Sequence, residues 1–556
     1  MRWFSGTVLL VICVGWIFRA EIVLFSVAQM RSAVTTIGPT IEIEWSTGAD
    51  AHDRTPSRRP PNIVLIVADD LGWNDLSMNG PNPTAQTPNI DALAEAGVTF
   101  SKGYAAHGTC APSRAALMSG RYGTRFGFEF TPTPPGFAPV TGMLNAMTKR
   151  PSLPPALANP LANTRDSLEF AGLGMPASEI TLAELLESEG YHTAHIGKWH
   201  LGEEKGMAPH DQGFAESLLM ASGLYGRRDD ADIIQARQAF DPIDRFLWRV
   251  LDFAASFNGG PWFEPPRYLT DYYTDEAVKV IEANKDRPFF LYLAHWAPHT
   301  PLQAPREDYE ALSHIELHRE RVYAAMIRAL DRSVGRVMDA LKANGLDENT
   351  LVVFTSDNGG AGYIGLPNIN APYRGWKSTL FEGGIRVPFL ARWPAKLPAG
   401  TAYDLPVHHF DIYATAAAAA GAALPSDRII DGIDLTPYVT DTQRTDSPHE
   451  YLFFRGGAAQ AVREERWKLV VSAPPQSGSE QPPRKEWLFD LTAEGERSNV
   501  LSQHPEVASR LRGALKAHNE MQSEPLWPWI YARAINVDRD LSQEDQPEDE
   551  FAYISN

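Results

Sequence analysis

The 556-residue sequence contains only 2 cysteines, Cys13 and Cys110. Because Cys13 lies in an apolar N-terminal stretch, we expect the folded part of the chain to contain a single thiol and therefore no internal disulfide. The sequence also lacks a run rich in lysine and arginine, and its formal net charge is −19. Nucleic-acid binding needs a clustered basic surface, so the composition argues against nucleic acid as a partner. An anionic substrate would have to be attracted by a local group of cations.

The sequence also has few long apolar runs, and even its clearest apolar run is short. Residues 8–18 are mostly apolar, follow Arg2, and are succeeded by Arg19 and Glu21. This run is too short to span a bilayer comfortably, so we predict an export signal peptide in residues 1–28. The alternative is an uncleaved N-terminal anchor, which would be the chain's only contact with a membrane. Either reading predicts a periplasmic, secreted or lumenal protein.

Three apolar runs are typical of strands that are buried on both faces: residues 62–68, 289–294 and 351–355. Helix signals lie between them, including a capping box at Thr181 and an amphipathic stretch at residues 323–341. This alternation predicts an α/β fold with a large central sheet, mixed but mainly parallel, flanked by helices.

The sequence changes character after residue 440. Short strand-like segments separated by turns, followed by a helical segment at residues 505–521, predict a smaller C-terminal domain of antiparallel sheet plus helix. The predicted organisation is a signal peptide or anchor (1–28), a flexible stem (29–60), a large α/β domain (61–440), a C-terminal antiparallel-sheet subdomain (441–535) and an acidic, solvated tail (536–556).

Acidic and amide side chains follow two of the predicted strands. Asp69 and Asp70 end the first, and Asp357 and Asn358 end another. Strand ends can meet at one edge of a parallel sheet, and hard divalent cations prefer oxygen ligands. No histidine belongs to this set, so Ca²⁺ is preferred, with Mg²⁺ as the alternative. The other reading is that these residues only terminate strands, as turn formers do.

A lone cysteine is usually a small buried apolar side chain. Cys110, however, lies in Cys110-Ala-Pro-Ser-Arg114, and Leu117-Met-Ser-Gly-Arg121 follows after two alanines. This run resembles the signature of the type I sulfatases, the formylglycine-dependent, arylsulfatase-like members of the alkaline phosphatase superfamily. The resemblance extends over roughly residues 61–500. It implies that a separate formylglycine-generating enzyme oxidises Cys110 to Cα-formylglycine (3-oxoalanine).

Three further segments resemble that family and contribute cationic or titratable side chains. They supply Lys198 and His200 (Gly-Lys-Trp-His-Leu-Gly, 197–202), His299 (Ala-Pro-His-Thr-Pro-Leu, 297–302) and Lys377 (Arg-Gly-Trp-Lys, 374–377). The resemblance implies as catalytic residues Cys110, Arg114, Lys198, His200, His299 and Lys377, of which Lys198, His299 and Lys377 also bind substrate. It implies as metal ligands Asp69, Asp70, Cys110, Asp357 and Asn358.

The roles implied by the resemblance form one mechanism. The cation, Lys198 and Lys377 would neutralise the sulfate while the formylglycine hydrate attacks sulfur. Arg114 would hold the hydrate, and His299 would protonate the leaving oxygen, a role that Lys377 could share. His200 would then deprotonate the second hydroxyl of the hydrate, so that sulfate is expelled.

The function implied is hydrolysis of sulfate monoesters, with aryl sulfates as artificial substrates and sulfated carbohydrate as the leading natural class. The alternatives are a phosphonate monoester or phosphodiester hydrolase of the same superfamily, and a binding relative that has lost catalysis. A thiol enzyme is a more distant alternative, because no recognisable histidine and asparagine pattern accompanies the cysteine.

Two segments, residues 136–175 and 221–266, have no clear match to the family core, and we expect them to be substrate-selecting loops. Aromatic side chains in and after the second segment either stack on a sugar or aryl ring or pack in the core. They are Tyr225, Trp262, Phe263, Tyr268, Tyr272 and Tyr273.

Overall fold

The structure of the chain is a computed structural model. It describes residues 36–48, 59–80, 83–133, 153–154, 156–159, 172–221, 223–474, 484–493 and 495–555. The predicted signal peptide or anchor and most of the segment 136–175 lie outside the described residues. Within the described part of the chain, none of the helices combines the length and the apolar character needed to cross a bilayer.

A nine-stranded sheet forms the centre of the protein, and five consecutive strands in it, from Thr350–Ser356 to Glu216–Met220, run parallel. Side chains of the strand Asn62–Ala68 alternate between two apolar cores on opposite faces of the sheet. Helix His318–Ala343 covers one face, and helices Cys110–Ser119 and Phe410–Ala420 cover the other. Burial on both faces explains the continuous apolar runs in the sequence. The predicted mixed, mainly parallel sheet flanked by helices is confirmed.

The strands of this central sheet, in spatial order, are Thr401–Tyr403, Val98–Phe100, Phe389–Arg392, Thr350–Ser356, Asn62–Ala68, Phe289–Ala294, His192–Gly197, Glu216–Met220 and Ala255–Phe257. Two small sheets pair Ile233–Ala236 with Leu302–Pro305 and Gly103–Tyr104 with Val407–His408. The described α-helices are Pro88–Glu95, Cys110–Ser119, Leu182–Ser188, Pro242–Val250, Leu269–Ala283, Arg306–Ala311, His318–Ala343, Glu382–Ile385, Phe410–Ala420, Thr436–Thr440 and Pro505–Asn519.

The predicted capping box forms at the start of helix Leu182–Ser188. The Thr181 hydroxyl oxygen accepts a hydrogen bond from the Glu184 backbone N–H at 3.0 Å, and the Glu184 carboxylate accepts one from the Thr181 N–H at 2.7 Å. Two of the N–H groups that a helix start leaves unpaired are satisfied in this way. The helix signal in the local sequence is therefore confirmed.

The predicted antiparallel sheet and helix are present in the C-terminal region. The sheet has four strands: Leu452–Gly456, Ala459–Arg463, Trp467–Ser472 and Lys485–Asp490. Helix Pro505–Asn519 packs its Leu511 and Leu515 against one face of this sheet. The proposed boundaries at residues 440 and 535 stay predictions.

The expectation of a solvated tail at residues 536–556 is wrong for its last described residues. Phe551–Ser555 is a strand that pairs antiparallel with Tyr531–Asn536, which also pairs with Leu157–Ala158. Tyr553 and Ile554 are buried, and Arg539 pairs with the Asp549 carboxylate at 2.8 Å. The acidic composition of the segment hides the short apolar run in Phe551–Ser555. We call the sheet formed by Phe551–Ser555, Tyr531–Asn536 and Leu157–Ala158 the three-stranded sheet.

The expectation of a flexible stem is wrong for residues 36–48, the part of the predicted stem nearest the fold. Ile43 and Trp45, two residues apart, are both buried in the core beside the central sheet. The Trp45 indole N–H donates a hydrogen bond to the Glu276 carboxylate at 2.8 Å. Alternating apolar side chains fix this segment on the surface of the domain.

The aromatic side chains in and after the segment 221–266 pack in the core. Tyr225, Phe263, Tyr268, Tyr272 and Tyr273 are buried in the same apolar cluster as the central sheet. Since buried rings are not available to stack on a ligand, the core-packing interpretation is confirmed for these five residues.

A buried carboxyl group gives the fold a specific pH dependence. The Asp75 carboxylate accepts hydrogen bonds from the Gly72 N–H and the Tyr323 hydroxyl, both at 2.7 Å. Burial nevertheless raises the pKa of Asp75 to about 7. The folded state therefore holds this proton more tightly than the unfolded chain, whose aspartate has a pKa of about 4. This group makes the protein less stable as the pH rises from about 4 to 7.

We expect Asp75→Asn to remove that contribution, because the amide oxygen can accept the same hydrogen bonds without ionising. Relative to wild type, the variant should gain stability between pH 5 and 7.5, by up to about 1.4 kcal/mol per pH unit. Thermal unfolding of both proteins at the two pH values measures this change. A stability difference that is the same at both values would contradict the assignment.

Candidate active site

Cys110 is the first residue of helix Cys110–Ser119 and is buried beside the central sheet, with 4% of its surface exposed. Its sulfur lies 3.6 Å from an Asp69 carboxylate oxygen and 3.9 Å from one of Asp70. Burial raises the pKa of the Cys110 thiol, and the nearby Asp357 carboxylate raises it further. The thiol thus contacts carboxylates rather than an imidazole, unlike the nucleophile of a thiol enzyme.

The strand-end acids come together as a single cluster. Strands Asn62–Ala68 and Thr350–Ser356 are parallel and in register, so that Ala68 lies beside Ser356 and the residues that follow them are adjacent. The Asn358 amide N–H donates to an Asp70 carboxylate oxygen at 2.8 Å, and the Asp70 backbone N–H to Asp357 at 3.3 Å. The four predicted ligands at the strand ends, Asp69, Asp70, Asp357 and Asn358, are all buried, as is Cys110, the fifth predicted ligand.

Three cations neutralise this cluster. The Arg114 guanidinium donates to Asp357 at 2.9 Å and to Asp69 at 3.1 Å, so it joins the carboxylates of two neighbouring strands. The Lys198 ammonium lies 2.6 Å from Asp69, and the Lys377 ammonium 2.6 Å from Asp70. Charge-assisted contacts of this length hold the three cations against the carboxylates. Arg114 therefore positions the acidic cluster as well as bordering Cys110.

His299 is held in a defined orientation beside the cluster. Its Nδ1 donates to the Thr300 carbonyl at 2.6 Å, and its Nε2 lies 3.5 Å from Asp70. The ring stacks on Trp296 with a centroid distance of 3.9 Å. The Tyr225 hydroxyl, which lies within hydrogen-bond distance of the Trp296 and His299 carbonyl oxygens, ties this segment to the core. Nε2 is thereby left facing the carboxylates.

His200 has left-handed backbone (φ 66°), and its Nδ1 is buried without a hydrogen-bond partner in the described part of the chain. Burial lowers the pKa of His200 well below its usual value, and the positive charge of Lys198 lowers it further. Burial also lowers the pKa of His299, with Lys377 and Lys198 acting in the same direction and Asp70 against them. Both imidazoles are therefore neutral proton acceptors in this arrangement.

The cluster has the donor chemistry of a cation site. Asp69, Asp70, Cys110 and His299 offer ligand atoms that all lie within 4.8 Å of one another. The Asn358 amide oxygen is buried with no hydrogen-bond partner among the described residues. A buried, unsatisfied oxygen is costly, and a hard divalent cation would satisfy it. Burial, followed by the charge of Asp357, raises the pKa of Asp69 to about 6, and a cation would offset both effects.

A cavity of about 430 Å³ opens over these groups. Cys110, Lys198, His200, His299 and Lys377, which the sequence analysis selected, all line it. It is also lined by residues that the sequence analysis did not select, namely Tyr363, Tyr531, Arg533, Ile554 and Ser555.

No sequence signal marked most of these additional residues. The Tyr363 hydroxyl donates to an Asp70 carboxylate oxygen at 2.9 Å. Arg533 and Ser555 belong to the three-stranded sheet, whose last strand the acidic composition concealed. Leu247 and Leu251, from the segment 221–266, also border the cavity. That segment therefore reaches the site, as expected of a substrate-selecting loop.

The mainly parallel sheet carries acidic strand ends, three cations paired with them and a helix that begins at Cys110, and this arrangement defines a hydrolase of the alkaline phosphatase superfamily. Residues 61–422 match the Sulfatase family, so the chain belongs to the sulfatases and is a sulfuric ester hydrolase.

Named relatives cover most of the chain. N-acetylgalactosamine-6-sulfatase of Mus musculus is 35% identical over 417 residues, 74% of this chain and 72% of the relative. Steryl-sulfatase of Mus musculus is 32% identical, over 84% of each chain. The crystal structure of Ps i-CgsB in complex with k-i-k-neocarrahexaose is similar with a TM-score of 0.68 and 31% identity, over 84% of this chain and 95% of that one.

Proposed function

We propose that this protein hydrolyses sulfate monoesters with a formylglycine nucleophile made from Cys110 and one divalent cation, preferably Ca²⁺. The observation that carries the proposal is the position of Cys110. It lies at the start of a helix, against Asp69 and Asp70, in the same cavity as Lys198 and Lys377. When formed, Cα-formylglycine supplies a hydrated aldehyde with two hydroxyls, one to attack sulfur and one whose deprotonation releases sulfate.

Lys198 and Lys377 bind the sulfate group in this proposal. Both line the cavity, and both form salt bridges with buried carboxylates, Lys198 with Asp69 and Lys377 with Asp70. The chain as a whole repels anions, since its net charge is −19. Two fixed cations in a buried site offset that repulsion and stabilise the negative charge that develops during ester cleavage.

His299 and His200 move protons. Because Nδ1 of His299 donates to the Thr300 carbonyl, Nε2 is the atom that can hold a proton for the leaving oxygen. A bound sulfate offsets the charges of Lys198 and Lys377, which raises the lowered pKa of His299 toward its usual range. The buried, unpartnered Nδ1 of His200 is suited to accept the proton whose removal expels sulfate.

Asp69, Asp70, Asp357 and Asn358 would hold the cation together with the modified residue 110. When bound, the cation supplies positive charge for the sulfate oxygens and the nucleophile. Ca²⁺ is preferred because the strand-end set consists of carboxylate and amide oxygens, and the size and flexibility of the site decide between Ca²⁺ and Mg²⁺.

We expect removal of the cation with EDTA to lower kcat by more than about 100-fold, because the sulfate oxygens and the nucleophile then lose the positive charge that the cation would supply. Elemental analysis before and after dialysis gives the metal content, and titration with Ca²⁺ or Mg²⁺ shows which ion restores the rate. Full activity in a preparation shown to be free of metal would contradict the proposed cation.

Sulfated carbohydrate is the proposed natural substrate class. Its support is the name of the N-acetylgalactosamine-6-sulfatase relatives and the oligosaccharide complex of the similar structure. A cavity of about 430 Å³ is large enough for a sugar ring as well as its sulfate. Comparison of initial rates on sulfated hexosamines, sulfated galactans and steryl sulfates tests this class directly.

The experiment that tests the function is mass spectrometry of the tryptic peptide 103–114 from protein purified from its native host, combined with 4-nitrophenyl sulfate hydrolysis. An aldehyde or its hydrate at residue 110, together with hydrolysis, supports the proposal. An intact thiol in a host that modifies other sulfatases would contradict the nucleophile. Maturation by a formylglycine-generating enzyme and export to the periplasm, a lumen or the medium belong to the same proposal.

A further inference from the structure

One wall of the catalytic cavity comes from the three-stranded sheet. Tyr531 and Arg533 lie two residues apart on the strand Tyr531–Asn536, and alternate residues of a strand share a face. Both line the cavity, together with Ile554 and Ser555 of the neighbouring strand. A cationic side chain is thus added to the cavity from a part of the chain far from Cys110.

Arg533 lacks a counter-charge in the described part of the chain. Its side chain is half-buried, and its Nε is buried without a hydrogen-bond partner. Nearby arginines are paired: Arg539 with Asp549 at 2.8 Å, and Arg374 with Asp538 at 2.7 Å. A half-buried guanidinium without a partner is unfavourable unless a ligand supplies the anion. Its planar set of N–H donors matches the oxygens of sulfate and carboxylate groups.

Arg533 borders two cavities, and they differ in how well they would accept that anion. Arg533 and Lys377 border both the catalytic cavity and a smaller neighbouring cavity of about 60 Å³. The smaller cavity is also lined by the Asp540 carboxyl group, which disfavours an anion there. In the catalytic cavity the lining carboxyl group is that of Glu203, which is exposed. The catalytic cavity is therefore the better side for an anion.

Resting on the proposed function, we propose that Arg533 is a specificity-determining residue that binds a second anionic group of the substrate. That group is a sulfate or carboxylate on the sugar next to the one that carries the scissile ester. Lys198 and Lys377 bind the scissile sulfate, and Arg533 forms an ion pair with the anionic group of the neighbouring sugar. Polyanionic oligosaccharides are thereby favoured over substrates with a single charge.

The test uses inhibition of 4-nitrophenyl sulfate hydrolysis, so that it does not depend on which carbohydrate is cleaved. Three disaccharides are compared as inhibitors: one with a single sulfate, one with a second sulfate on the other sugar, and one whose other sugar is a uronic acid. We expect at least one doubly charged disaccharide to have an inhibition constant about 10-fold lower than the singly charged one. The second sulfate and the uronate distinguish the two anion classes.

Arg533→Gln should reduce this preference to less than about 2-fold, while Arg533→Lys should retain part of it, since a lysine keeps the charge but not the planar donor set. Arg539→Gln is the matched control, because it removes the same charge from a residue already paired with Asp549. It should keep the wild-type preference.

The inference would be overturned by a wild-type enzyme with equal inhibition constants for all three disaccharides, or by a preference that survives in Arg533→Gln. Loss of the preference in Arg539→Gln to the same degree would also overturn it, because the effect would then come from general charge. A wild-type enzyme that hydrolyses no sulfate ester would instead contradict the proposed function, on which the inference rests.

Discussion

Replacing Cys110 with alanine is expected to lower kcat for 4-nitrophenyl sulfate by more than about 10⁴-fold, because removal of a catalytic nucleophile leaves only binding and electrostatic stabilisation. The fold should persist, since the thiol's hydrogen-bond contacts among the described residues are with the Asp69 and Asp70 carboxylates and alanine is compatible with the first turn of a helix. Steady-state kinetics test the loss of activity. A thermal unfolding midpoint within a few degrees of wild type would show that the fold persists.

Two further variants separate chemistry from packing. Cys110→Ser, in a host that does not modify serine, should release about one phenolate per site and then stall, because a single hydroxyl can capture sulfate but cannot expel it. Met118→Leu changes a fully buried residue of the same helix without changing its volume much, so it should retain activity. Undiminished turnover by Cys110→Ala would refute the mechanism.

Lys468→Met is expected to have the largest effect on stability. Lys468, which has 0% exposure, lies on the strand Trp467–Ser472, and its ammonium is 2.9 Å from both the Glu382 and Glu496 carboxylates. The Glu382 carboxylate also accepts a hydrogen bond from the Tyr104 hydroxyl at 2.7 Å. The lysine thus joins the C-terminal sheet to the region around the central sheet, and it neutralises two buried acids.

Removing this cation leaves the buried Glu496 carboxyl group without a salt-bridge partner in the described part of the chain, and leaves Glu382 only the Arg386 guanidinium at 3.3 Å, which costs about 3–5 kcal/mol. Burial, with the charge of Glu382, already raises the pKa of Glu496 to about 7. The double variant Lys468→Met/Glu496→Gln should therefore be more stable than the single one, because it removes the acid that Lys468→Met leaves unpaired. Urea unfolding followed by circular dichroism measures both. A single variant within about 1 kcal/mol of wild type would contradict this role.

Some parts of the fold were predictable because their determinants are local. The strand Asn62–Ala68 is buried on both faces, so every residue in it is selected for the core and the run is visible in the sequence. The helix that follows Thr181 is marked by its own capping box. The meeting of Asp70 and Asn358 followed from parallel register, which the apolar runs also implied.

Other parts depend on contacts between segments far apart in the sequence. Tyr363 follows no strand directly, and its hydroxyl reaches Asp70 only through the tertiary fold. Arg533 lies on a strand whose partners are Leu157–Ala158 and Phe551–Ser555, and neither short pairing leaves a periodic pattern. The overall acidity of residues 536–556 led to the prediction of a solvated tail, although residues 551–554 form a short apolar run. Composition is an average over a whole segment, whereas burial in the fold depends on each side chain separately.

The burial of Cys110 also limits when this residue can be modified. In the folded protein the thiol is enclosed by the helix, the strand ends and a cavity wall that ends at residue 555. A modifying enzyme must therefore reach Cys110 before that wall is made. At about 5–20 residues per second, the ribosome needs roughly 20–90 s to travel from the cysteine to the last strand. Under the proposed function, this interval is the period in which a nascent chain can become an active enzyme.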